Sequence, residues 1–309
     1  MQVSVIDFGV PHHTLELAPV AEACGYLRYW LGEHHSPGQA SNPLLLSSLV
    51  AGVTETIRVG IAGVCLPYHS PFQVAEDARF LAEVYPDRMD LGAVKGMVFQ
   101  QPAMAAAILD GRELRREAFD DRFELLCRLL LGTLPPDHPL AAVAFGWSTS
   151  SPDLWMLGLT PENAELAGRL GVNFCFSEHH NRLNTGGQWE AAPAIRRYRE
   201  VIARHPAPHG TRANVVLSGV CAPSEREARE LDARAPRRMP LSYLGDPAHC
   251  AEQIEEFCRR AGVDEVVLLD DVVRGKSTLR EDLARREWVL RNQARALGLV
   301  GAGAEQPPA

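Results

Sequence analysis

The 309-residue chain holds seven cysteines but lacks any Cys-x-x-Cys pair. Cys24, Cys65, Cys127, Cys175, Cys221, Cys250 and Cys258 mostly sit in apolar, periodic segments. They read as reduced core thiols, not as a disulfide scaffold. No block of Lys or Arg occurs, and the net charge is -8, which argues against a nucleic-acid surface. No apolar run approaches membrane-spanning length. The chain enters a strand-like run at Gln2, without the basic start and long apolar core of a secretory signal. These absences lead us to expect a cytoplasmic protein that meets neither membrane nor nucleic acid. The first strand–helix turn also lacks the Gly-x-Gly-x-x-Gly fingerprint of a dinucleotide fold.

What the chain has is alternation. Short apolar runs fall at Gln2–Phe8, Arg28–Leu31, Arg58–Val64, Met89–Leu91, Leu154–Leu157, Val172–Phe176, Ala213–Ser218 and Glu265–Leu269. Between them lie segments with helical spacing, clearest at Val74, Ala78, Leu81 and at Phe119, Phe123, Leu126, Leu130. Eight such runs alternating with helices predict an α/β fold, a (β/α)8 TIM barrel. A doubly wound open sheet is the alternative, and the missing fingerprint counts against it. A hydrophobic content of 46% is ample for such a core, and the length suits one barrel.

Two connections are long and irregular. Leu131–Pro152 is rich in Pro and Gly, and Glu178–Trp189 carries Asn184-Thr185-Gly186-Gly187. Both are expected to be insertion loops at the C-terminal face of the barrel, forming lids or substrate walls. A third irregular stretch, Pro236–Gly245, precedes a helix started by Asp246-Pro247. Residues 1–299 read as one domain, and the small, polar residues 300–309 as a disordered tail.

The densest chemistry lies between Trp30 and Gly96. Gly32-Glu33-His34-His35 follows the apolar Tyr29-Trp30-Leu31 run, at the strand end where barrel active sites form. An echo, Ser177-Glu178-His179-His180, ends the sixth strand. Four histidines and two acids on one face suit a transition metal. Neighbouring residues of a strand face opposite sides, however, so each pair offers one ring inward and no metal site is expected. His179 and His180 read either as solvated loop histidines or as pocket lining.

Further motifs follow in order: Asn42-Pro43, the β-branched run Ile57 to Val64, Cys65-Leu66-Pro67, Ser70-Pro71 and Pro86-Asp87-Arg88-Met89-Asp90-Leu91-Gly92. In this order and spacing the chain resembles the bacterial luciferase-like flavin monooxygenase superfamily, from Val3 to about Leu290. The resemblance implies flavin bound at the C-terminal ends of the strands. It makes His34 the catalytic histidine beside the isoalloxazine, supported by His35, with Glu33 and Asp7 as secondary acid–base candidates. It lays Ala62, Gly63 and Val64 along the flavin ring and implies a cis peptide at Ala62-Gly63. Lys95 stands where relatives present an arginine to the FMN phosphate, keeping the charge but not the bidentate fork. Gly158, Thr160 and Asn163, at a helix start opened by Pro161, take the second phosphate contact, with Glu162 close by. The aromatic side chains of Phe8, Trp30 and Phe176 are expected to line or underlie the pocket.

The activity implied is that of a two-component, FMN-dependent monooxygenase. It inserts one oxygen atom from O₂ into a small organic substrate through a flavin C4a-hydroperoxide. Reduced FMN comes from a separate, transient flavin reductase partner, in keeping with the missing NAD(P)H fingerprint. The alternatives are a deazaflavin-coenzyme-dependent oxidoreductase of the same superfamily, or a non-catalytic flavin-fold subunit. Such barrels commonly pair through their second and third helices, here Pro43–Thr54 and Pro71–Val84. Leu44, Leu45, Leu46, Leu49 and Val50 wrap most of the first, so a homodimer is expected.

Overall fold

The computed structural model describes residues 1–8, 10–35, 41–96, 102–141, 148–207, 210–234, 240–270 and 279–299. Its strands are β1 (Gln2–Asp7), β2 (Arg28–Leu31), β3 (Arg58–Cys65), β4 (Met89–Val94), β5 (Asp153–Gly158), β6 (Asn173–Ser177), β7 (Ala213–Cys221), β8 (Tyr243–Gly245) and β9 (Glu265–Asp270). β1 to β7 pair in chain order, and β9 pairs with both β7 and β1. An eight-stranded, all-parallel ring closes. β8 lies outside it, joined to the end of β7 at Gly219↔Tyr243. The fold is a (β/α)8 TIM barrel, and the eight ring strands are the eight apolar runs of the sequence. β8 falls in the stretch that reads as irregular, because three residues are too few to show a period.

The described helices are α1 (Pro11–Ala23), α2 (Pro43–Gly52), α3 (Pro71–Val84), α4 (Pro102–Leu109), α5 (Phe119–Leu131), α6 (Pro161–Leu170), α7 (Glu178–Thr185), α8 (Ala191–Ile202), α9 (Glu225–Arg234), α10 (Pro247–Ala261) and α11 (Leu279–Ala296). Four of them open on a capping side chain followed by proline: Asn42-Pro43, Ser70-Pro71, Thr160-Pro161 and Asp246-Pro247. The cap oxygen takes a first-turn N–H that has no helical partner, and proline has no N–H to waste there. All seven cysteines are buried and free. No described helix is long and apolar enough to cross a membrane.

Inside the ring, alternate residues point at the axis. The N-terminal end is plugged by charge. Arg28 bridges Asp90 at 3.2 Å and Glu265 at 2.7 Å, and Arg58 bridges Asp90 at 2.7 Å and Asp153 at 2.8 Å. Arg212 pairs with Asp153, and Trp155 Nε1 donates to the second oxygen of Asp90 at 2.8 Å. Buried charges are tolerated there because each faces an opposite charge. Above the plug Trp30 and Trp155 meet edge to face at 5.5 Å.

Three expectations need correction. Leu131–Pro152 leaves the end of α5 and leads into β5, so its described parts, 131–141 and 148–152, join the N-terminal face and not the strand ends that carry sites. Arg79 helps pin it there by donating to the Ser148 carbonyl at 3.1 Å; residues 142–147 lie outside the described set, as do residues 300–309 of the tail. Glu178–Trp189, by contrast, follows the C-terminal end of β6 and begins with α7. The connection between β4 and α5, described at 95–96 and 102–118, also starts from a C-terminal strand end. Asp7, in turn, points outward from β1. It accepts from Thr14 at 2.7 Å, Tyr29 at 2.8 Å and Arg286 at 2.6 Å, tying α1 and α11 to the barrel. Burial opposes its ionised form, but Arg286 and the hydroxyls outweigh that and hold its pKa below the usual value. Phe176 also faces the helix layer, since Cys175 and Ser177 take the inward positions of β6.

The interior volume depends on Gly60, against which Trp30 lies: a Cβ there would sit 2.1 Å from the ring. Gly60→Ala is expected to lower unfolding stability by about 1–3 kcal/mol through overpacking. Urea denaturation measures this, and a cost indistinguishable from zero would mean that Trp30 can move aside.

Candidate functional site

Above the two tryptophans the side chains stop filling the barrel. A cavity of about 570 Å³ opens among the C-terminal ends of the strands, in the usual size range of small-molecule sites. Ile6, Val216 and Leu269 form apolar wall, while Ala62 and Gly63 leave β3 without bulk. The Ala62-Gly63 peptide is cis, as the resemblance implied. Gly63 also lies close to β4, where a Cβ would sit 2.8 Å from the Gly92 carbonyl oxygen. Val64 does not join the cavity; its side chain packs in the layer between barrel and helices.

His34 lines this cavity just beyond β2 and packs edge-on against Phe8, with ring centroids 4.5 Å apart. Its Nδ1 is buried with no hydrogen-bond partner among the described residues. Burial disfavours the imidazolium and lowers the pKa; Glu33 opposes the shift and His35 adds to it. Glu33 itself is fully engaged. One oxygen accepts the Cys65 backbone N–H at 2.7 Å, and the other lies 2.9 Å from His35 Nε2 and 2.8 Å from His69 Nε2. Burial would raise the pKa of Glu33, but His69, the Cys65 N–H and His35 together bring it below the ordinary value. The carboxylate therefore clamps the ends of β2 and β3 and holds two rings in place. His69 was not singled out from the sequence, where nothing distinguishes it from any loop histidine.

The second His pair is not in a strand. Ser177 caps α7, and a helix turns about 100° per residue, so His179 and His180 both reach the cavity wall. The limit of one inward ring per pair, which holds in a strand, does not apply to a pair on a helix. The two rings meet edge to face at 5.1 Å. Burial and the neighbouring His34 push the pKa of His179 down to about 4. Burial, His179 and His34 push that of His180 down to about 3. Both are neutral at physiological pH. Among the described residues no group of three or more His, Cys, Asp or Glu is arranged to hold a metal ion.

The cavity is also lined by charged residues. Lys95 follows β4 directly, with Nζ 5.7 Å from the centroid of the Phe119 ring. Arg116, on the short turn Arg116–Ala118 before α5, also lines the cavity. No motif marks Arg116 in the sequence; only the fold brings it to the same cavity as Lys95. The start of α6 is largely committed to itself. Thr160 accepts the Asn163 N–H at 3.3 Å, and the Asn163 side chain accepts the Leu159 N–H at 3.3 Å while covering Gly158. Glu162 takes a hydrogen bond from Thr160 that lowers its pKa, so it adds negative charge at this end. The cavity thus gathers Glu33, His34, His35, Ala62, Gly63, Lys95, Gly158, Thr160 and Asn163, all expected from the sequence.

A closed parallel barrel with a histidine-lined cavity at its strand ends defines a class of small-molecule enzyme scaffolds. Within it, the family model of luciferase-like monooxygenases matches residues 4–241, and the chain belongs to that family. The uncharacterized protein YceB of Bacillus subtilis is 36% identical over 228 residues, which are 71% of this chain. The match spans 65% of the length of that relative. The structure titled apo-MsnO8 superposes with a TM-score of 0.78 at 25% identity, covering 97% of this chain and 99% of its own. The oxygenating constituent of 3,6-diketocamphane monooxygenase from Pseudomonas putida, in complex with FMN, shares the fold at a TM-score of 0.67 and 14% identity. It covers 96% of this chain and 98% of that one. A coenzyme F₄₂₀-dependent secondary alcohol dehydrogenase does so at 0.65 and 14%, with the same coverage.

The neutral histidines make stability acid-sensitive. In the fold they resist protonation, whereas in the unfolded chain the same rings take up protons near pH 6.5. Acid therefore favours the unfolded state, and stability falls as pH drops from about 6.5 towards 4. Replacing both rings (His179→Gln with His180→Gln) is expected to flatten the loss of unfolding free energy between pH 7 and pH 5. An unchanged slope in denaturant titrations would show that these rings do not stay neutral.

Proposed function

We propose that the chain is a monooxygenase that transfers one oxygen atom from O₂ to a small organic molecule, using reduced FMN delivered by a separate flavin reductase. The observation that carries this reading is the buried, unpartnered Nδ1 of His34 at the mouth of a barrel strand. Such an atom costs roughly 1–3 kcal/mol when left unsatisfied, a cost that a bound ligand offsets. The residues present fit a flavin mononucleotide. Ala62 and Gly63 admit a planar ring against the backbone, and the cations Lys95 and Arg116 suit a phosphate. The α6 start suits it less, because Thr160 and the Asn163 side-chain oxygen are occupied and Glu162 is anionic, although the Asn163 amide keeps its donors.

Bound reduced FMN supplies the electrons with which O₂ is activated. The chain's own residues do the rest. Phe8, Ile6 and Val216 keep water from the reacting centre. His34, neutral near pH 7, can accept a proton or hydrogen bond there and later return it. Glu33 acts as a positioning residue, since both of its oxygens are already bound. His34→Ala is expected to lower product formation by about 10²-fold with FMN affinity nearly unchanged, diverting consumed O₂ to H₂O₂. Normal coupling in His34→Ala together with a dead His35→Ala would move the role to the neighbouring ring.

Titration with oxidised FMN, reduced FMN and the deazaflavin coenzyme separates this reading from hydride transfer and from a non-catalytic flavin-fold subunit. Lys95→Ala should weaken FMN by roughly tenfold and riboflavin hardly at all, as expected for an exposed charged contact to phosphate. Equal weakening of both ligands would place the phosphate elsewhere.

The outer faces of α2 and α3 support a homodimer. Leu45 is 61% exposed, Leu49 46%, Val53 47%, Phe80 59% and Val84 51%, spaced one turn apart along two neighbouring helices. A two-fold interface would bring the same patch together twice and cover it. Light scattering at micromolar concentration is expected to give about 68 kDa, twice the 33.9 kDa chain. A mass of one chain, or no change on Leu49→Asp, would remove the dimer.

A further inference from the structure

The cavity contains a second histidine whose hydrogen-bonding state the fold selects. Ser177, only 5% exposed, ends β6 and caps α7. Its Oγ accepts the His180 backbone N–H at 3.4 Å and lies 2.7 Å from His180 Nδ1. The hydroxyl has a single hydrogen, and Nδ1 is the acceptor within its reach among the described residues. If Nδ1 carried a proton it would donate to Oγ, and the hydroxyl hydrogen would be stranded without a partner. The arrangement that satisfies both groups has Nδ1 accepting and the ring proton on Nε2. Nε2 makes no hydrogen bond to a described residue, so the ring presents a donor with its partner still to come.

The surroundings restrict what that partner is. His179 and His34 stay neutral beside His180, and the cavity they share is lined by apolar Ile6, Phe8, Val216 and Leu269, with the uncharged Asn184 one turn along α7 from His180. The cavity's cations are Lys95 and Arg116 and its acids Asp120, Glu162 and Glu33, the last with both oxygens occupied. Neither a carboxylate nor an ammonium would find a charged partner in the three rings His34, His179 and His180.

We infer that His180, oriented by Ser177, is a specificity-determining residue that donates its Nε2–H to a carbonyl-type oxygen on a neutral, otherwise apolar substrate. This rests on the reading of the cavity as the substrate site, and it is tested without flavin or O₂. Long-range ¹H–¹⁵N correlation on the full ¹⁵N-labelled chain at pH 7 reads the tautomer. The Nε2–H form is expected for His180, and Ser177→Ala is expected to give a mixture. Cyclohexanone, methylenecyclohexane, cyclohexanecarboxylate and cyclohexylamine then serve as probes. The ketone should bind about tenfold tighter than the hydrocarbon, the worth of one good hydrogen bond, and tighter than either ion. His180→Phe should bring the ketone-to-hydrocarbon ratio near one while hydrocarbon binding stays within about twofold, which also reports that the fold is intact. His180→Gln, which keeps a donor, should restore part of the preference. An Nδ1–H tautomer, tighter binding of the carboxylate, or a ketone preference that survives His180→Phe overturns the inference. A chain that meets these expectations yet transfers no oxygen retains this site and loses only the monooxygenase reading.

Discussion

An eight-stranded barrel has room inside for a limited number of side chains, and this chain spends that room unevenly along the axis. The lowest layer is taken by arginine–carboxylate pairs centred on Asp90, and the next by Trp30 and Trp155. The two indoles fit because Gly60 carries no side chain where Trp30 crosses it. Asp90 links the layers, holding Arg28 and Arg58 on one oxygen and the Trp155 N–H on the other. Below the tryptophans the interior is solid; above them Ala62 and Gly63 leave it open. The cavity is therefore the part of the barrel that bulk below and smallness above leave unfilled.

The polar groups around that opening fall into two kinds. Glu33 and Thr160, and the side-chain oxygen of Asn163, are engaged by the protein itself and act as struts for the strand ends and the α6 start. His34, His180, Lys95 and Arg116 retain capacity for a ligand. They differ in charge as well: the rings are neutral, and Lys95 and Arg116 are cations. A planar, hydrogen-bonding ligand with an anionic tail, beside a neutral co-substrate, matches that set of groups.

Several parts of this organisation were legible in the sequence because they depend on local periodicity or on single residue types. The eight ring strands are runs buried on both faces, the cap–proline pairs start their helices, and Glu33-His34-His35 follows a strand directly. The Ala62-Gly63 cis peptide was legible only through the family resemblance. Other parts were misread for physical reasons. Leu131–Pro152 looks like a lid because Pro and Gly mark a loop without saying which end of the barrel it crosses. Asp7 resembles a site acid until Arg286, 279 residues away in sequence, is seen to pair with it. His179 and His180 seemed restricted to one inward ring because the chain passes from strand to helix at Ser177, one residue before the pair.

By itself the sequence determined the barrel, its strand positions and the family, since these rest on patterns repeated along the chain and on ordered motifs. Tertiary structure alone decided which polar groups are free. Whether Glu33 is a strut or an acid depends on Cys65 and His69; whether Lys95 acts singly or beside Arg116 depends on how the β4–α5 connection folds back. Which nitrogen of His180 carries a proton depends on a hydroxyl whose distance no spacing rule specifies. Hydrogen bonding and burial are properties of neighbours in space, and the residues that set them here come from strands that meet only when the ring closes.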